Sequence, residues 1–305
     1  MPRFRVALVG VAIGLLAAAC GSSSTSTSTT SPPASAVNIT IGSTNFPEQV
    51  IIANMYSDVL RHAGYNTTVR ANLGTRQAVE PALAAGQLDL YPDYAGTLLL
   101  FLVPSATQAA TQLSTAIPQL QSLLGQKGAT VLNAAPAIDT NVFAVTKATA
   151  TKHHLTTISS LKPVASQLVL GAPPECPQNA TCLLGLESVY GLHFKSVTSL
   201  DEAGPITVSA LKNGEVDVAE LFSSNGAIQT NGFVQLQDDK HLQAADYVIP
   251  VIRKAVAKQK ATTALNNLSA KLTTDELSKL NIKVTNNHED PATVATQWLQ
   301  SQGLI

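Results

Sequence analysis

Five short segments combine polar and aromatic side chains, and each lies at the end of a predicted β-strand. They are residues 43–46, 91–97, 139–141, 172–179 and 222–225. Aromatic residues make up only 5 % and charged residues 13 % of the 305 residues, so these segments stand out. Such side chains hold small molecules through ring contacts and hydrogen bonds, and loops on a rigid scaffold commonly carry function. The segments therefore predict a binding site for a small-molecule solute.

Motifs of catalysis are absent from the sequence. It contains no Gly-x-Ser-x-Gly, no His-Glu-x-x-His and no Gly-x-x-x-x-Gly-Lys-Ser/Thr. Asp238 and Asp239 are adjacent, but neighbouring side chains on an extended chain point in opposite directions. The formal net charge of −1 also excludes a basic nucleic-acid surface. We expect a protein that is not an enzyme and needs no metal or cofactor.

The elements that must position the five segments repeat one order. The first half is predicted as strand 37–42, a helix between Asn45 and Gly64, a strand from Val69, helix 77–85 and strand 87–91. The second half is predicted as strand 168–171, helix 183–190, a strand from Val197, helix 206–212 and strand 216–221. This repeated β-α-β-α-β order is typical of two α/β units with mostly parallel sheets.

The predicted fold class is therefore α/β, with two Rossmann-like lobes. Strands at 140–146 and 247–253 should cross between them, which assigns residues 38–139 and 250–305 to the first lobe and residues 140–249 to the second. In open α/β sheets, ligands bind beyond the carboxyl ends of the strands. The cleft between the lobes is thus the expected binding site.

The N-terminus has the pattern of an export signal. Arg3 and Arg5 precede an apolar run that ends at Cys20, and the residues before this cysteine resemble a bacterial lipidation site. We expect residues 1–19 to be a signal peptide, Cys20 to carry a lipid and the Ser/Thr-rich residues 20–37 to be a tether. A plain secretion signal with a chance cysteine is the alternative. The lipid would hold the exported protein at the outer face of the cell membrane.

Cys176 and Cys182 remain once Cys20 is assigned to the lipid. In an oxidising compartment, two cysteines this close in sequence favour a small disulfide loop. The alternative is a metal site, which would need further ligands nearby, and none of the six histidines is close in sequence.

Several blocks of the sequence resemble a known family. The blocks are IGSTNFPEQ, LDLYPDYAGT, LGAPPEC, VYGLHF, LFSSN, LQDDK and YVIPVIRK. In this order they resemble the ProX-like substrate-binding lipoproteins of osmoprotectant ABC importers, the glycine betaine/choline/carnitine group. The resemblance extends from about residue 38 to the C-terminus and implies a type II periplasmic-binding-protein fold. It also implies that closing lobes capture a solute and deliver it to an ABC permease and its ATPase; we further expect a monomer.

The resemblance assigns roles to individual residues. Family members hold a quaternary ammonium in a box of tyrosines through cation–π attraction. Tyr94 matches a tyrosine of this box, and Thr97 matches the threonine that follows it. Asp139 matches a position whose backbone carbonyl faces the ligand.

Other positions depart from the family pattern. Asn141 and Phe222 stand where tyrosine is usual. Asp246 aligns with a third tyrosine position, and a shift of one residue would place Tyr247 there instead. Thr44 and Asn179 stand where some members have a Lys and an Arg for the betaine carboxylate. This reduced box predicts weak betaine binding, or a ligand that is larger, neutral or aromatic.

Arg76 is the best available cation for an anionic ligand, because it precedes a predicted helix on the cleft side. The full set of candidate ligand-binding residues is Thr44, Asn45, Phe46, Arg76, Tyr94, Thr97, Asp139, Asn141, Asn179, Phe222, Ser223, Asn225 and Asp246. A sensor or adhesion lipoprotein with the same anchor and tether stays open as an alternative function.

Overall fold

The computed structural model describes residues 37–201 and 203–305. The predicted signal peptide and Cys20, and all of the predicted tether except Val37, lie outside the described residues. None of the helices within the described part of the chain is long and apolar enough to cross a membrane.

The first sheet has the strand order β2-β1-β3-β10-β4. Its strands are β1 (Asn38–Gly42), β2 (Asn66–Arg70), β3 (Leu90–Tyr94), β4 (Ala129–Val131) and β10 (Val248–Arg253). Strand β1 is parallel to β2 and β3, whereas β10 runs antiparallel to both of its neighbours. We call this sheet and its helices lobe 1.

The second sheet repeats the arrangement with the order β7-β6-β8-β5-β9. Its strands are β5 (Asn141–Val145), β6 (Val169–Ala172), β7 (Ser196–Ser199), β8 (Val218–Phe222) and β9 (Val234–Gln235). Here β5 takes the place that β10 has in the first sheet, antiparallel to both neighbours. The predicted α/β fold with two crossing strands is confirmed; this second sheet and its helices are lobe 2.

Twelve helices cover the two sheets within the described residues. Lobe 1 contains α1 (Pro47–His62), α2 (Arg76–Ala84), α3 (Ala95–Leu102), α4 (Thr107–Ala110) and α5 (Leu113–Gln126). Lobe 2 contains α6 (Lys147–His153), α7 (Leu183–Tyr190), α8 (Pro205–Asn213) and α9 (Gly226–Asn231). The chain ends with α10 (Gln259–Lys271), α11 (Thr274–Thr285) and α12 (Pro291–Ser301), whose apolar faces pack with α1 in one core cluster.

The third strand of lobe 1 differs from its prediction. The sequence predicts a strand at 87–91 followed by a loop, but β3 begins at Leu90 and continues to Tyr94. Asp89 lies in the preceding turn. Its backbone N–H donates to the carbonyl of Thr40, and its Oδ2 accepts from the backbone N–H of Thr40. All five residues of β3 are buried, so the polar part of the family block lies in the sheet rather than in a loop.

Candidate ligand-binding cleft

A cavity of about 430 Å³ lies between the lobes. It is next to the carboxyl ends of β3 and β8. It also adjoins the two segments that connect the lobes, which lie before β5 and before β10. Nine of the candidate residues line it: Asn45, Phe46, Arg76, Tyr94, Thr97, Asp139, Asn141, Phe222 and Asp246. We call this space the ligand cavity.

Aromatic side chains form one part of the cavity wall. Phe46, just before α1, stacks on Tyr94 with 6.3 Å between ring centroids and 16° between ring planes. The Tyr94 hydroxyl donates a hydrogen bond to Glu48 Oε1 at 2.5 Å, which fixes the orientation of the ring. Phe222, at the end of β8, adds an aromatic ring from lobe 2. Both lobes thus contribute ring surface to one cavity.

Arg76, the first residue of α2, is already paired. Its Nε and Nη2 donate to the buried carboxylate of Asp93 at 2.6–3.0 Å. Nη2 also donates to Thr97 Oγ1 at 2.8 Å. The positive charge that the sequence places at the cavity is therefore compensated by a carboxylate from β3.

Asp246 is a buried carboxyl group on the cavity wall. Its Oδ1 accepts a hydrogen bond from the backbone N–H of Thr97 at 2.7 Å. Burial raises the pKa of Asp246 to about 6, although the Thr97 hydrogen bond and the charge of Arg76 both act in the opposite direction.

Two further buried acids, Glu48 and Asp139, lie next to the aromatic residues of the wall. Glu48 accepts a hydrogen bond from Asn281 Nδ2 at 2.6 Å, and Asp139 accepts one from Ser224 Oγ at 2.6 Å. Burial raises the pKa of both carboxyl groups, and the proximity of Glu48 raises that of Asp139 further. Burial thus favours the protonated form of each of these two carboxyl groups.

The electrostatic character of the cavity follows from these groups. The charge of Arg76 is balanced by that of Asp93, and Asp246 is ionised above pH 6. The wall is thus aromatic and acidic, an environment that favours a cation.

Comparison with known proteins identifies the class of protein with this cleft. Residues 37–301 match the OpuAC family, described as the substrate binding domain of ABC-type glycine betaine transport systems. The chain belongs to this family. It is the solute-binding component of an ABC import system, and the family is one of binding proteins rather than enzymes.

Relatives and solved structures agree with this assignment. The chain is 26 % identical over 283 residues to the glycine betaine-binding protein YehZ of Escherichia coli, covering 89 % of the chain and 93 % of the relative. It is also 26 % identical to the carnitine transport binding protein OpuCC of Listeria monocytogenes, covering 88 % and 87 %. A crystal structure of a glycine betaine/carnitine/choline ABC transporter superimposes with a TM-score of 0.78 at 26 % identity, covering 88 % of this chain and 99 % of that one.

Four candidate residues of this binding protein do not line the ligand cavity. Asn179 instead holds Thr181, because its Oδ1 accepts from both the backbone N–H and the hydroxyl of Thr181 at 2.9 Å. Ser223 ties β8 to the segment before β5: its Oγ accepts from the N–H of Thr140 and donates to a backbone carbonyl. Asn225 caps α9 through its Oδ1, and Thr44 has its Oγ1 buried. These four side chains lie outside the wall of the ligand cavity, and Asn225 lines the adjoining cavity instead.

Four wall residues are absent from the list of candidates, namely Thr140, Thr181, Gln243 and Ala244, although Thr140 lies in the predicted segment 139–141. Gln243 Nε2 donates to the backbone carbonyl of Thr181 at 2.7 Å, which joins the two. Thr181 lies inside the loop between Cys176 and Cys182, whose sulfurs are bonded to each other in the structure. A residue inside a disulfide loop next to predicted site residues is a signal that could have identified Thr181.

Gly96, in the family block at residues 91–97, lies where there is no space for a side chain. A Cβ added to Gly96 would lie 2.6 Å from Ala244 Cβ, 2.7 Å from the carbonyl oxygen of Ala110 and 2.8 Å from the N of Ala245. The Ala245 N–H donates to that same carbonyl at 2.8 Å, so the Cβ would push into a backbone hydrogen bond. Since Ala244 lines the cavity, this contact also positions the cavity wall.

Gly96→Ala is expected to lower the free energy of unfolding by about 1–3 kcal/mol, because the backbone at Ala110 and Ala245 must move. Chemical denaturation measures the loss. Gly125→Ala is the matched control: it is also a helical glycine, but its added Cβ would meet only the flexible end of Lys254 at 3.2 Å. We expect the control to be neutral or stabilising by up to about 1 kcal/mol. Equal stability of the two variants would contradict the close approach at Gly96.

Proposed function

We propose that this protein captures a small quaternary-ammonium solute in the ligand cavity, with a net cation such as choline favoured over the zwitterion glycine betaine. The observation that supports the preference is the charge of the wall: Asp139 and Asp246 line the cavity, and the guanidinium of Arg76 is already bound to Asp93. The solute class follows from the family and from the relatives named for glycine betaine and carnitine binding.

The aromatic wall supports binding of the cationic end. A quaternary ammonium cannot donate a hydrogen bond, so it is held by ring faces and by nearby negative charge. Phe46 and Tyr94 from lobe 1 and Phe222 from lobe 2 supply the rings. Each desolvated cation–π contact contributes about 1–2 kcal/mol. Because the rings come from both lobes, binding also favours closure of the cleft.

A carboxylate on the ligand has poorer partners in this cavity. Thr97 Oγ1 accepts from Arg76, and both the backbone N–H and the side chain of Thr97 form hydrogen bonds to Asp246. The guanidinium of Arg76 is already paired with the buried carboxylate of Asp93. A carboxylate of the ligand would therefore compete with Asp93 for this guanidinium. A ligand without a carboxylate avoids this competition.

The role in transport follows from membership of the OpuAC family. The filled protein delivers its solute to an ABC permease and its ATPase, and acts as a monomer. Lipidation of Cys20 after removal of residues 1–19 would keep it at the outer face of the cell membrane. The mass of the mature N-terminus tests the lipid. A sensor or adhesion lipoprotein is the alternative, and the match to the substrate binding domain of ABC transport systems favours transport.

Isothermal titration of the mature protein with choline and with glycine betaine tests the preference. We expect choline to bind about tenfold more tightly, a difference of about 1.4 kcal/mol. Tyr94→Ala should weaken choline binding by at least about tenfold, whereas Tyr94→Phe keeps the ring and should retain most of the affinity. Tighter binding of glycine betaine, with a sub-micromolar dissociation constant, would overturn the proposal.

A further inference from the structure

Four buried polar side chains meet where the two lobes are in contact, next to Tyr94. Lobe 1 contributes Glu48 of α1 and Asn281 of α11. Lobe 2 contributes Ser224, which follows β8, and Asp139 lies in the segment that leads to β5. Each of the four residues is more than nine-tenths buried. We call them the interlobe cluster.

Asn281 spans the two lobes within this cluster. Its Nδ2 donates to Glu48 Oε2 at 2.6 Å, and it lies 3.2 Å from Ser224 Oγ and 3.3 Å from the Ser224 carbonyl oxygen. An amide nitrogen has two hydrogens, so one can serve each residue. Glu48 Oε1 in turn accepts from the hydroxyl of Tyr94. A continuous chain of hydrogen bonds therefore runs from a ring of the ligand cavity to lobe 2.

Ser224 is held firmly on the lobe 2 side. Its N–H and its hydroxyl both donate to Asp139 Oδ1, at 3.3 and 2.6 Å. The preceding residue, Ser223, accepts from the backbone N–H of Thr140. The turn that contains Ser224 is thus fixed to the start of β5 and moves with lobe 2. The hydrogen bond from Asn281 to this turn must break when the lobes separate.

A close approach of the two lobes lies next to this hydrogen bond. Gly226 is the first residue of α9, and a Cβ added to it would lie 2.0 Å from Ile282 Cγ1 and 2.8 Å from Ile282 Cδ1. The backbone of α9 is thus in direct contact with the residue that follows Asn281. A cavity of about 570 Å³ adjoins this contact, with Gly226 and the interlobe cluster in its wall. The contact is therefore a small patch beside open space, and single residues should affect how firmly it holds the lobes together.

We propose that Asn281 is a positioning residue for solute capture. Its amide joins the carboxyl group that orients Tyr94 to the Ser224 turn of lobe 2, and thereby holds the lobes together around a bound solute. This inference rests on the proposed function, because it requires a solute between rings of both lobes. A contact that forms when the lobes come together stabilises the bound state without changing the access of the solute. Its effect therefore falls on the rate of dissociation.

Asn281→Ala should increase the dissociation rate of choline about three- to tenfold, the effect of one hydrogen bond, and leave the association rate constant within about twofold. Exchange broadening of the N-methyl NMR signal of choline measures the dissociation rate. Isothermal titration measures the dissociation constant, and the two values together give the association rate constant. A merely structural loss would lower the fraction of protein that binds and leave the dissociation rate unchanged. If the wild-type protein binds glycine betaine but not choline, glycine betaine serves as the probe.

Gly226→Ala tests the contact between the lobes independently of Glu48 and Tyr94. Its methyl group must displace Ile282, so dissociation of the solute should again become faster. Ile282→Ala removes the atoms that this methyl group would meet. The double variant Gly226→Ala/Ile282→Ala should therefore release the solute more slowly than Gly226→Ala alone.

Asn266→Ala is the matched control. Asn266 lies on α10, and its Oδ1 accepts from the backbone N–H of Asn133 at 3.1 Å, within lobe 1. This variant should keep the wild-type dissociation rate. An unchanged dissociation rate in Asn281→Ala, or a loss of affinity confined to the association rate, would overturn this inference and leave the proposed function intact. Failure of the wild-type protein to bind either choline or glycine betaine would overturn the proposed function itself, and this inference with it.

Discussion

Arg76→Met is expected to lower the free energy of unfolding by about 3 kcal/mol. The guanidinium bonds both oxygens of Asp93, whose side chain is only 5 % exposed. Without it, Asp93 keeps a hydrogen bond from the backbone N–H of Tyr94, but its charge stays buried without a counter-charge. Removing one partner of a buried pair costs more than the pair itself contributes, because the remaining ion cannot return to water. Urea unfolding at neutral pH measures the loss.

Two controls separate this effect from a general loss of charge. The double variant Arg76→Met/Asp93→Asn removes both charges and should recover most of the lost stability. Arg61→Met breaks the ion pair with Asp58 on α1, where the arginine side chain is 59 % exposed, and should cost no more than about 0.5 kcal/mol. If Arg76→Met were no more destabilising than Arg61→Met, the pairing of Arg76 with Asp93 would be contradicted.

Asp246→Asn is expected to increase stability at pH 8 by up to about 3 kcal/mol while weakening cation binding. The asparagine can still accept the hydrogen bond from Thr97, but it carries no charge to bury. Burial raises the pKa of Asp246 to about 6 in the folded protein. The usual value for aspartate is about 3.9, and a pKa difference of about 2 corresponds to about 3 kcal/mol. The stabilised variant would therefore lose part of its function.

The pH dependence gives the sign of this effect. Below pH 4, Asp246 is protonated in both the folded and the unfolded chain and contributes nothing. Between pH 4 and pH 6 the unfolded chain loses its proton first, so the wild-type protein loses stability as pH rises, and above pH 6 the loss is constant. The advantage of Asp246→Asn should thus be close to zero at pH 4 and reach its maximum above pH 6. Urea unfolding across this range measures it.

Binding gives an independent readout of the same carboxyl group. Choline affinity in the wild-type protein should rise as pH increases through 6, because the cation favours the ionised carboxylate. Burial raises the pKa of Glu48 and Asp139 as well, and both groups are present in the wild type and in the variant. The difference between wild type and Asp246→Asn therefore isolates the contribution of Asp246.

An aspartate with the opposite shift serves as the control. Asp290 caps α12 and accepts from the N–H of Thr293 at 2.8 Å, and this hydrogen bond lowers its pKa. Asp290→Asn should therefore bring no gain in stability at pH 8 and leave choline binding unchanged. A gain from Asp290→Asn equal to that from Asp246→Asn would show that burial of Asp246 is not the cause.

The elements of this protein follow from local signals in the chain. Pro47 begins α1, and the apolar residues Ile39 and Ile41 that alternate along β1 are buried. One boundary differs from its prediction: β3 lies three residues later, because Asp89 is used in the turn before it. The predicted lobe boundaries at 139/140 and 249/250 stay predictions. The long-range partners of the site residues could not be read from the sequence.

The fold class, the family and nine of the residues that line the cavity can thus be predicted from the sequence. Periodicity, turn residues and the order of the family blocks can be read along the chain without knowledge of the tertiary structure. The charge of the cavity, in contrast, depends on the tertiary structure. That structure places Asp93 on Arg76 and Glu48 beside Asp139, and it brings Thr181 into the wall through the disulfide loop. Ionisation depends on burial and on distances of a few ångströms, and these are set by packing between residues far apart in the chain.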